Sequence, residues 1–512
     1  MQGRRPYRVS NSQGGAWGLS EVGIVIGEAR PKRIEFTSKN PVRVGDYVTV
    51  DTDDGSVLYM TEYFKNVSAL LSESKDYLTA DEARRASLKN PRDRVRIGVA
   101  RALGLVRDLL NGKRIYPTVP PEPGASVEYA DEELLRKIYG GHGDSWVEVG
   151  QLLRRPSVPV SVNLDALASR HLAILAATGK GKSNLLALLA KRVAERNGTL
   201  VLFDYHGEYR ELNIRGLRFV SPKINPRHLN SEELADMLGV RKNAERQRSI
   251  LGKVYTKDVI NAANFWEALE KKLKDIVESE KAGPQDRQAA QRLLDIMRRA
   301  LNVWGRIFDP SARTPLDTIA NNRVNVLDVS DLTELQAQRI VSTYLDSILQ
   351  DRKSALRGGE CKFRSPVVVA IEEAHVFMPA GEDTECSETI ARVAREGRKF
   401  GVSLIIVSQR PSKLDPDIIS QVGSFAISGI THPSDQKFIR EVTDEVSEEL
   451  GASLPSLNPG EMILVGQFIK LPALVKTHMV EEKLVGRDLE AVRLWREEVS
   501  KPFAATEELM RL

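Results

Sequence analysis

The sequence predicts an α/β fold in which a small N-terminal β-barrel precedes a parallel-sheet core that a helical insertion interrupts. Three observations support this. Short, alternating apolar runs with frequent turn residues fill the first third of the chain, and a Gly-Lys-Ser turn follows an apolar run near residue 175. Beyond residue 169, continuous apolar runs alternate with helical patterns, which indicates strands covered on both faces. With 512 residues, the chain is long enough for two or three domains.

Composition excludes several classes of protein. Hydrophobic residues make up 41% and charged residues 28%, and no stretch approaches the ~20 apolar residues of a membrane helix. The first 15 residues lack the apolar core of a secretory signal, and Cys361 and Cys386 are too few for a disulfide framework. We therefore expect a cytoplasmic protein without a membrane segment. The net charge of +4 neither shows nor excludes nucleic-acid binding, because a basic channel can be hidden in the total.

The first third of the chain predicts an arm and a barrel. Residues 1–22 are polar and rich in Gly and Ser, which is typical of a flexible arm. Residues 23–165 carry short β-rich runs separated by turn signals, which favours a small barrel or sandwich. A charged, helix-like stretch near residues 68–95 interrupts this barrel. The run at residues 147–164 is expected to supply its closing strands.

The rest of the chain predicts the core and its additions. Residues 166–222 and 306–480 carry the apolar strands of the sheet. Between them, residues 223–305 show apolar positions at helical spacing, so we expect a helical insertion there. A structural cover is favoured over a separate lobe that meets a partner. The final residues, 481–512, are predicted to be a helical brace against a neighbouring subunit.

The strongest chemical signal is the P-loop at residues 176–183, AATGKGKS. It follows an apolar strand and opens a helix, as phosphate binding by backbone N–H groups requires. Lys182 is predicted to reach the β- and γ-phosphates of ATP, and Ser183 to ligate Mg²⁺. Ala176 replaces the usual first glycine, which a small residue with negative φ can do. The remaining predicted nucleotide contacts are Thr178, Gly179, Lys180, Gly181 and Asn184.

A second motif predicts the metal ligand and the catalytic carboxylate. The apolar run PVVVAI ends in Glu372 and Glu373, the arrangement of a Walker B strand. Glu372 is predicted to hold Mg²⁺, directly or through water, and Glu373 to polarise the attacking water. The alternative is a strand end with two solvated acids.

Polar residues at two further strand ends complete the predicted site. Asp204, His206 and Glu208 follow the strand after the P-loop helix, where ligands bind in open parallel sheets. A simple loop with an Asx-turn is an equal alternative. Gln409 ends another strand and is a candidate sensor of the γ-phosphate.

A cation is also needed to neutralise transition-state charge. Arg170 and Arg398 compete for that role with Arg395 and Lys399.

Taken together, AATGKGKSN, FDYHGEY, IEEAHVF, AREGRKFG, IVSQRP and PGEMILVG resemble the archaeal HerA helicase/translocase family of the HerA–FtsK P-loop ATPases. The early GIVIGEA and VRVGDYVTV resemble that family's N-terminal HAS-barrel. The resemblance covers residues 23–495 and implies a RecA-like core. It also implies a homo-hexamer that translocates double-stranded DNA with ATP and Mg²⁺ and works with the NurA nuclease in DNA end resection and repair.

The resemblance also implies roles for single residues. Lys182 and Ser183 correspond to the nucleotide and Mg²⁺ ligands, and Glu373 to the catalytic glutamate beside Glu372. Asp204 belongs to the family's acidic loop and Gln409 to its sensor strand. Arg398 and Arg170 match arginines at the subunit interface, one serving its own subunit's nucleotide and the other, expected to be Arg170, serving the neighbour's. Lys180 stands where many relatives have serine.

Two other functions compete with this one. A secretion or conjugation ATPase would share the core, but it often carries a membrane segment or a different N-terminal domain. A non-catalytic scaffold would be expected to have lost the P-loop lysine or the catalytic acid, and the sequence retains both.

Overall fold

The computed structural model describes residues 21–38, 41–90, 92–210 and 212–481. Most of the predicted N-terminal arm and nearly all of the predicted C-terminal brace lie outside these residues. None of the helices in the described ranges is long and apolar enough to cross a membrane.

A closed, six-stranded barrel forms the N-terminal part, with strand order β1-β2-β5-β4-β3-β6. Its strands are β1 (Glu21–Arg30), β2 (Arg33–Ser38), β3 (Tyr47–Thr52), β4 (Gly55–Ser68), β5 (Arg94–Leu105) and β6 (Ser126–Tyr129). The alternating apolar residues face inward, where Ile34, Phe36 and Val48 are fully buried. The Phe36 ring fills the space beside Gly98, because a Cβ at Gly98 would lie 2.4 Å from that ring.

Short helices interrupt and follow the barrel strands. They are α1 (Ala69–Ser72), α2 (Tyr77–Lys89), α3 (Val106–Leu110) and α4 (Glu132–Tyr139). The first two occupy the charged stretch between β4 and β5, where the sequence predicts an insert. Helix α4 leads out of the barrel and packs on the core, with the Tyr139 hydroxyl donating to the Pro472 carbonyl at 3.0 Å.

The prediction that residues 147–164 close the barrel is wrong. Strand β6 closes it by pairing with both β1 and β3. The two strands from residues 146–163 pair with each other and extend the large sheet of the core instead. Their alternating pattern fits either sheet, because alternation reports one covered face and not which partner covers it.

The core is an eleven-stranded sheet with the order β11-β12-β10-β13-β14-β9-β15-β16-β17-β7-β8. The strands from β11 to β15 in this order are parallel, and the remaining four are antiparallel. The strands are β7 (Trp146–Leu152), β8 (Arg155–Asn163), β9 (Leu172–Ala176), β10 (Thr199–Asp204), β11 (Leu217–Val220), β12 (Val324–Asp328), β13 (Val367–Ile371), β14 (Val402–Ser408), β15 (Ser424–Ser428), β16 (Glu461–Gly466) and β17 (Ala473–Thr477).

Strands β9, β10, β13 and β14 are buried along almost their whole length, as the continuous apolar runs predict. Helices cover this sheet and fill the interval between β11 and β12. They are α5 (Leu164–Ser169), α6 (Lys182–Glu195), α7 (Ser231–Leu238), α8 (Glu245–Val254), α9 (Lys257–Ile260), α10 (Phe265–Glu278), α11 (Pro284–Trp304), α12 (Glu334–Leu356), α13 (Glu385–Phe400), α14 (Pro416–Ile419), α15 (Pro433–Val442) and α16 (Glu448–Ala452).

Helices α7 to α11 form the insertion, and their apolar faces belong to the same core as the sheet. Leu269 and Leu273 on α10 and Leu293 and Met297 on α11 are buried at the helical spacing that the sequence shows.

Charged residues join the barrel to the core. Arg33 on β2 pairs with Glu449 on α16 at 2.6 Å, and Arg114 pairs with Glu445 at 2.9 Å. Glu445 also accepts a hydrogen bond from the backbone N–H of Gly466 in the sheet at 3.2 Å. The segment at residues 445–449 therefore links the barrel to the sheet.

Candidate active site

The candidate active site lies at one edge of the sheet, where four neighbouring parallel strands end. These strands are β10, β13, β14 and β9, in that order. Because parallel strands place their carboxyl ends together, the predicted motifs converge there. Asp204 ends β10, Glu372 and Glu373 follow β13, Gln409 follows β14, and the P-loop follows β9.

The P-loop joins β9 directly to helix α6. Gly179 and Gly181 have φ angles of 74° and 103°, in the region where a side chain is strained, so these two positions require glycine. Ala176 is the last residue of β9 and is not among the described residues with positive φ, so it needs no glycine. Gly181 caps α6 without a side-chain hydrogen bond, which leaves the first N–H groups of the helix available for phosphate.

The P-loop side chains reach the predicted sensor. Lys182 is buried on the first turn of α6, and its Nζ donates to the Ala177 carbonyl at 3.3 Å, across the loop. The Thr178 hydroxyl donates to Oε1 of Gln409 at 2.5 Å. Gln409 thus contacts the P-loop of its own chain, at the place where a γ-phosphate sensor is expected.

Two predicted nucleotide contacts have other side-chain partners. Lys180 turns away from the P-loop, and its Nζ donates to the Leu457 carbonyl at 2.7 Å. The Asn184 amide donates to the His478 carbonyl at 2.8 Å and accepts from the backbone N–H of Val480 at 2.9 Å. The Asn184 side chain therefore fixes the segment after β17, and contact between Asn184 and the nucleotide stays a prediction.

The predicted metal ligands Ser183 and Glu372 share a neighbour, Tyr209. Its buried hydroxyl hydrogen-bonds the Ser183 side chain and donates to Oε1 of Glu372 at 3.3 Å. The other carboxylate oxygen of Glu372, Oε2, is buried without a hydrogen-bond partner among the described residues. A buried carboxylate oxygen left unpaired is costly, and a cation would satisfy it.

A second carboxylate stands beside Glu372. The Asp204 carboxylate accepts the backbone N–H groups of Glu208 and Tyr209 at 3.1 and 3.0 Å and contacts Glu372. Burial raises the pKa of Glu372 well above its ordinary value, and the charges of Asp204 and Glu208 raise that pKa further. Burial also raises the pKa of Asp204, against the hydrogen bond from the Tyr209 N–H. Burial is the largest cause of both shifts, so the two carboxylates lie together in a poorly solvated site.

These residues fit a magnesium ion. In the described ranges, no three His, Cys, Asp or Glu side chains form a metal-binding cluster. That finding is compatible with Mg²⁺, which uses one or two protein ligands together with phosphates and water. Ser183 and Glu372 are the residues that would hold it here.

Glu373 has an unusual backbone conformation. Its φ of 47° and ψ of 46° are left-handed, which is uncommon for a residue other than glycine and is found at functional sites. Its carboxylate lies between two imidazoles, 3.5 Å from Nε2 of His206 and 3.2 Å from Nδ1 of His375. Burial lowers the pKa of His375, and the nearby Glu373 carboxylate opposes that shift.

The two predicted interface arginines lie at the opposite edge of the sheet. Arg170 lies two residues before the start of β9, and Arg398 lies on the last turn of α13, just before β14. The P-loop and Gln409 follow the far ends of these strands, about 15–20 Å away at 3.3 Å per residue. Each arginine is thus separated from the P-loop of its own chain by about the length of a strand. Action on the nucleotide of the same chain or on that of a neighbouring subunit stays a prediction for both.

Sequence reasoning missed three residues of the site. Tyr209 and His375 are part of quoted motifs, but nothing in the pattern shows that they touch the two glutamates. Arg410 follows Gln409 and lies close enough to His375 to lower its pKa further. The spacing of a motif does not report which side chains meet, so only the sheet order reveals these contacts.

The chain is similar to proteins of one known family. Residues 147–348 match the family described as "Helicase HerA, central domain", and residues 22–111 match the HAS barrel domain. The DNA double-strand break repair helicase HerA of Saccharolobus solfataricus is 34% identical over 94% of this chain and 98% of that protein. The protein of the same name from Pyrococcus furiosus is 34% identical over 90% of this chain and 92% of that protein.

Among solved structures, VirB4 of Thermoanaerobacter pseudethanolicus is similar over 67% of this chain and 99% of that chain, with 16% identity. The TM-score of this match is 0.48. The 34% identity to these two relatives extends over nearly the full length of the chain, and it agrees with the geometry of the P-loop and of the Glu372–Glu373 pair. The chain belongs to the HerA family of ATP-driven helicases.

Proposed function

We propose that this protein is a hexameric translocase that moves double-stranded DNA with ATP and Mg²⁺, and that it works with a NurA-type nuclease in the resection of DNA double-strand breaks. The observation that carries the proposal is the converged site at the ends of β9, β10, β13 and β14. It holds a phosphate loop, an unpaired buried carboxylate oxygen and a positioned catalytic glutamate.

Each residue of the site has a task in hydrolysis. The open N–H groups at the start of α6 and the Lys182 ammonium bind phosphate oxygens. Ser183 and Glu372 would hold Mg²⁺, and the ion would supply positive charge to offset that of the phosphates. Glu373 orients the attacking water, and His206 and His375 lie on either side of its carboxylate. Gln409, joined to Thr178, reports whether the γ-phosphate is present.

The position of Arg170 and Arg398 supports a ring. A P-loop ATPase needs an arginine near the transferred phosphate, worth ~10³–10⁵ in rate. These two arginines lie at the edge of the sheet away from their own P-loop. In a ring that repeats head to tail, that edge can face the P-loop edge of the next subunit, which gives each arginine a site to complete.

The effect of duplex DNA on ATP turnover tests the proposed substrate. We expect ATP turnover to rise when duplex DNA is added, and DNA binding to be insensitive to sequence and to weaken steeply with salt. Turnover that single-stranded DNA stimulates and duplex DNA does not would contradict the proposal. Electron micrographs of the purified protein should show six-fold rings.

The barrel is the expected docking site for the nuclease. It contains no nucleotide-binding residue and joins the core through the segment at residues 445–449. A truncation that tests this must start at Asp131, because α4, β7 and β8 belong to the core. The truncated chain should retain ATPase activity and lose nuclease binding. Full-length affinity of the truncated chain for the nuclease would show that the docking surface lies elsewhere.

A further inference from the structure

A basic groove lies on the helical insertion and shares no residue with the nucleotide site. Its volume is about 860 Å³. One wall is a face of α11, and the other is the turn after α7 together with the first residues of α8. The lining residues are Gly239, Arg241, Asn243, Ala244, Glu245, Arg246, Gln247, Gln285, Gln288, Ala289, Arg292, Ile296 and Arg299.

The α11 wall is a continuous stripe. Residues 285, 288, 292, 296 and 299 recur at intervals of three or four, so they lie on one face of the helix. At 1.5 Å per residue, this stripe is about 21 Å long. The groove is therefore longer than a single phosphate or nucleotide needs.

The charge of the lining is strongly positive. Four arginines face one carboxylate, Glu245. Arg246 is neutralised by Asp286 at 2.8 Å. In the described parts of the chain, Arg241, Arg292 and Arg299 form no ion pair with a carboxylate, and Arg299 bonds only the Asp295 carbonyl of its own helix.

The start of α8 adds to this potential. Ala244 caps the ten-residue helix without a side-chain hydrogen bond, so the first N–H groups have no cap. The N-terminal end of a helix carries partial positive charge. This end lines the same groove as the unpaired arginines.

We propose that this groove binds the phosphodiester backbone of duplex DNA, a proposal that rests on the proposed function. Arginine forks match phosphate oxygens, and the amides of Gln285, Gln288 and Gln247 suit contacts to the backbone that carry no sequence information. About six phosphates of one strand span 21 Å of B-form duplex. None of the described residues that line the groove is aromatic, which disfavours stacking with single-stranded bases.

The test compares two full-length variants that each remove three positive charges from the insertion. R241Q/R292Q/R299Q removes the unpaired arginines of the groove. K271Q/K272Q/K281Q is the matched control, because these exposed lysines lie outside the groove and form no ion pair in the described ranges. Duplex binding is measured over a series of salt concentrations, with ATP turnover in the absence of DNA as the check on folding.

We expect the groove variant to bind duplex DNA more weakly and with a shallower salt dependence. Each lost phosphate contact lowers the slope of log K against log salt by about 0.9, so the loss of two or three contacts lowers it by about 2–3. The control should keep the wild-type slope, and both variants should keep the turnover measured without DNA.

Other outcomes overturn the proposal. An unchanged slope in the groove variant, or the same loss in both variants, would show that the groove makes no specific contact. Inorganic phosphate can be added at matched ionic strength to wild type and groove variant bound to short duplexes. If phosphate displaces the duplex from the wild type but not from the groove variant, the groove is a site for a free anion instead. Failure of the wild type to bind duplex at all would contradict the proposed function itself.

Discussion

The side chain of Lys180 lies directly against the α-carbon of Gly429. A Cβ at position 429 would be 2.4 Å from Cγ and Cδ of Lys180, and Gly429 has a φ of 54°. Beyond this contact, Nζ of Lys180 donates to the Leu457 carbonyl, and the Gly460 N–H donates back to the Lys180 carbonyl. The P-loop is therefore tied to the ends of β15 and β16 by a residue whose charge does not face the nucleotide.

Gly429→Ala should destabilise the protein in two separable ways. The left-handed φ costs about 1–2 kcal/mol, and the clash adds the loss of the Lys180 hydrogen bond. In a Lys180→Ser background only the first cost remains, so the two substitutions should couple by about 1 kcal/mol in the free energy of unfolding. Gly381→Ala is the control, since its φ is 77° and nothing lies within 4 Å of a Cβ there. Additive effects at 180 and 429 would contradict the contact.

Lys182→Ala should abolish ATP hydrolysis and leave the fold intact. The ammonium supplies the positive charge in the phosphate cradle, and removal of one such group costs about 10²–10³ in rate. Lys180→Ala is the matched control, because Nζ of Lys180 bonds a carbonyl outside the cradle. Turnover is measured together with the circular dichroism of each variant. If Lys182→Ala hydrolyses ATP at a rate near that of the wild type, the assignment of this lysine is wrong.

The two glutamates should separate in a metal titration. Glu373→Gln keeps the shape between His206 and His375 and loses the negative charge, so ATP and Mg²⁺ should still bind while hydrolysis becomes very slow. Glu372→Gln should raise the Mg²⁺ concentration needed for half-maximal turnover, because the unpaired Oε2 is the predicted ligand atom. Identical metal curves for the two variants would contradict this division of roles.

Subunit mixing tests where Arg170 acts. Arg170→Ala chains and Lys182→Ala chains are each expected to be inactive as pure rings. Mixed rings contain interfaces where an intact P-loop faces an intact Arg170, so they should recover part of the activity. This follows from the place of Arg170 at the sheet edge opposite its own P-loop. If verified mixed rings recover no ATPase activity, Arg170 does not act on the neighbouring subunit. The same experiment with Arg398→Ala chains tests Arg398.

The sequence predicted best those features that depend on a single strand and the turn after it. The P-loop, the two glutamates and the buried parallel strands follow from local pattern, because each depends on a strand and the turn after it. The assignment of residues 147–164 failed because strand alternation does not identify the partner sheet. The place of Asn184 could not be predicted, since its partners, His478 and Val480, are almost 300 positions away in the chain.

His171 should make stability depend on pH. Its ring is buried between α13 and β14, where Nδ1 accepts from the Leu404 N–H at 3.0 Å and Nε2 therefore donates to the Ala394 carbonyl at 2.9 Å. Burial lowers the pKa of this ring below its ordinary value, and the bond to Ala394 opposes that shift only in part. The neutral ring is the folded form, because a proton on Nδ1 would face the Leu404 N–H.

The sign of the effect follows from this lowered pKa. Below the ordinary histidine pKa of about 6.5, the unfolded chain takes up a proton that the folded chain resists. The contribution of His171 is therefore complete above about pH 6.5 and is lost as the pH falls, with a slope of at most about 1.4 kcal/mol per pH unit. His171→Gln removes the titrating group, so the difference in unfolding free energy between wild type and variant should shrink from pH 7 to pH 5. Denaturant unfolding at each pH measures it, and a constant difference across that range would show that His171 is not held neutral in the fold.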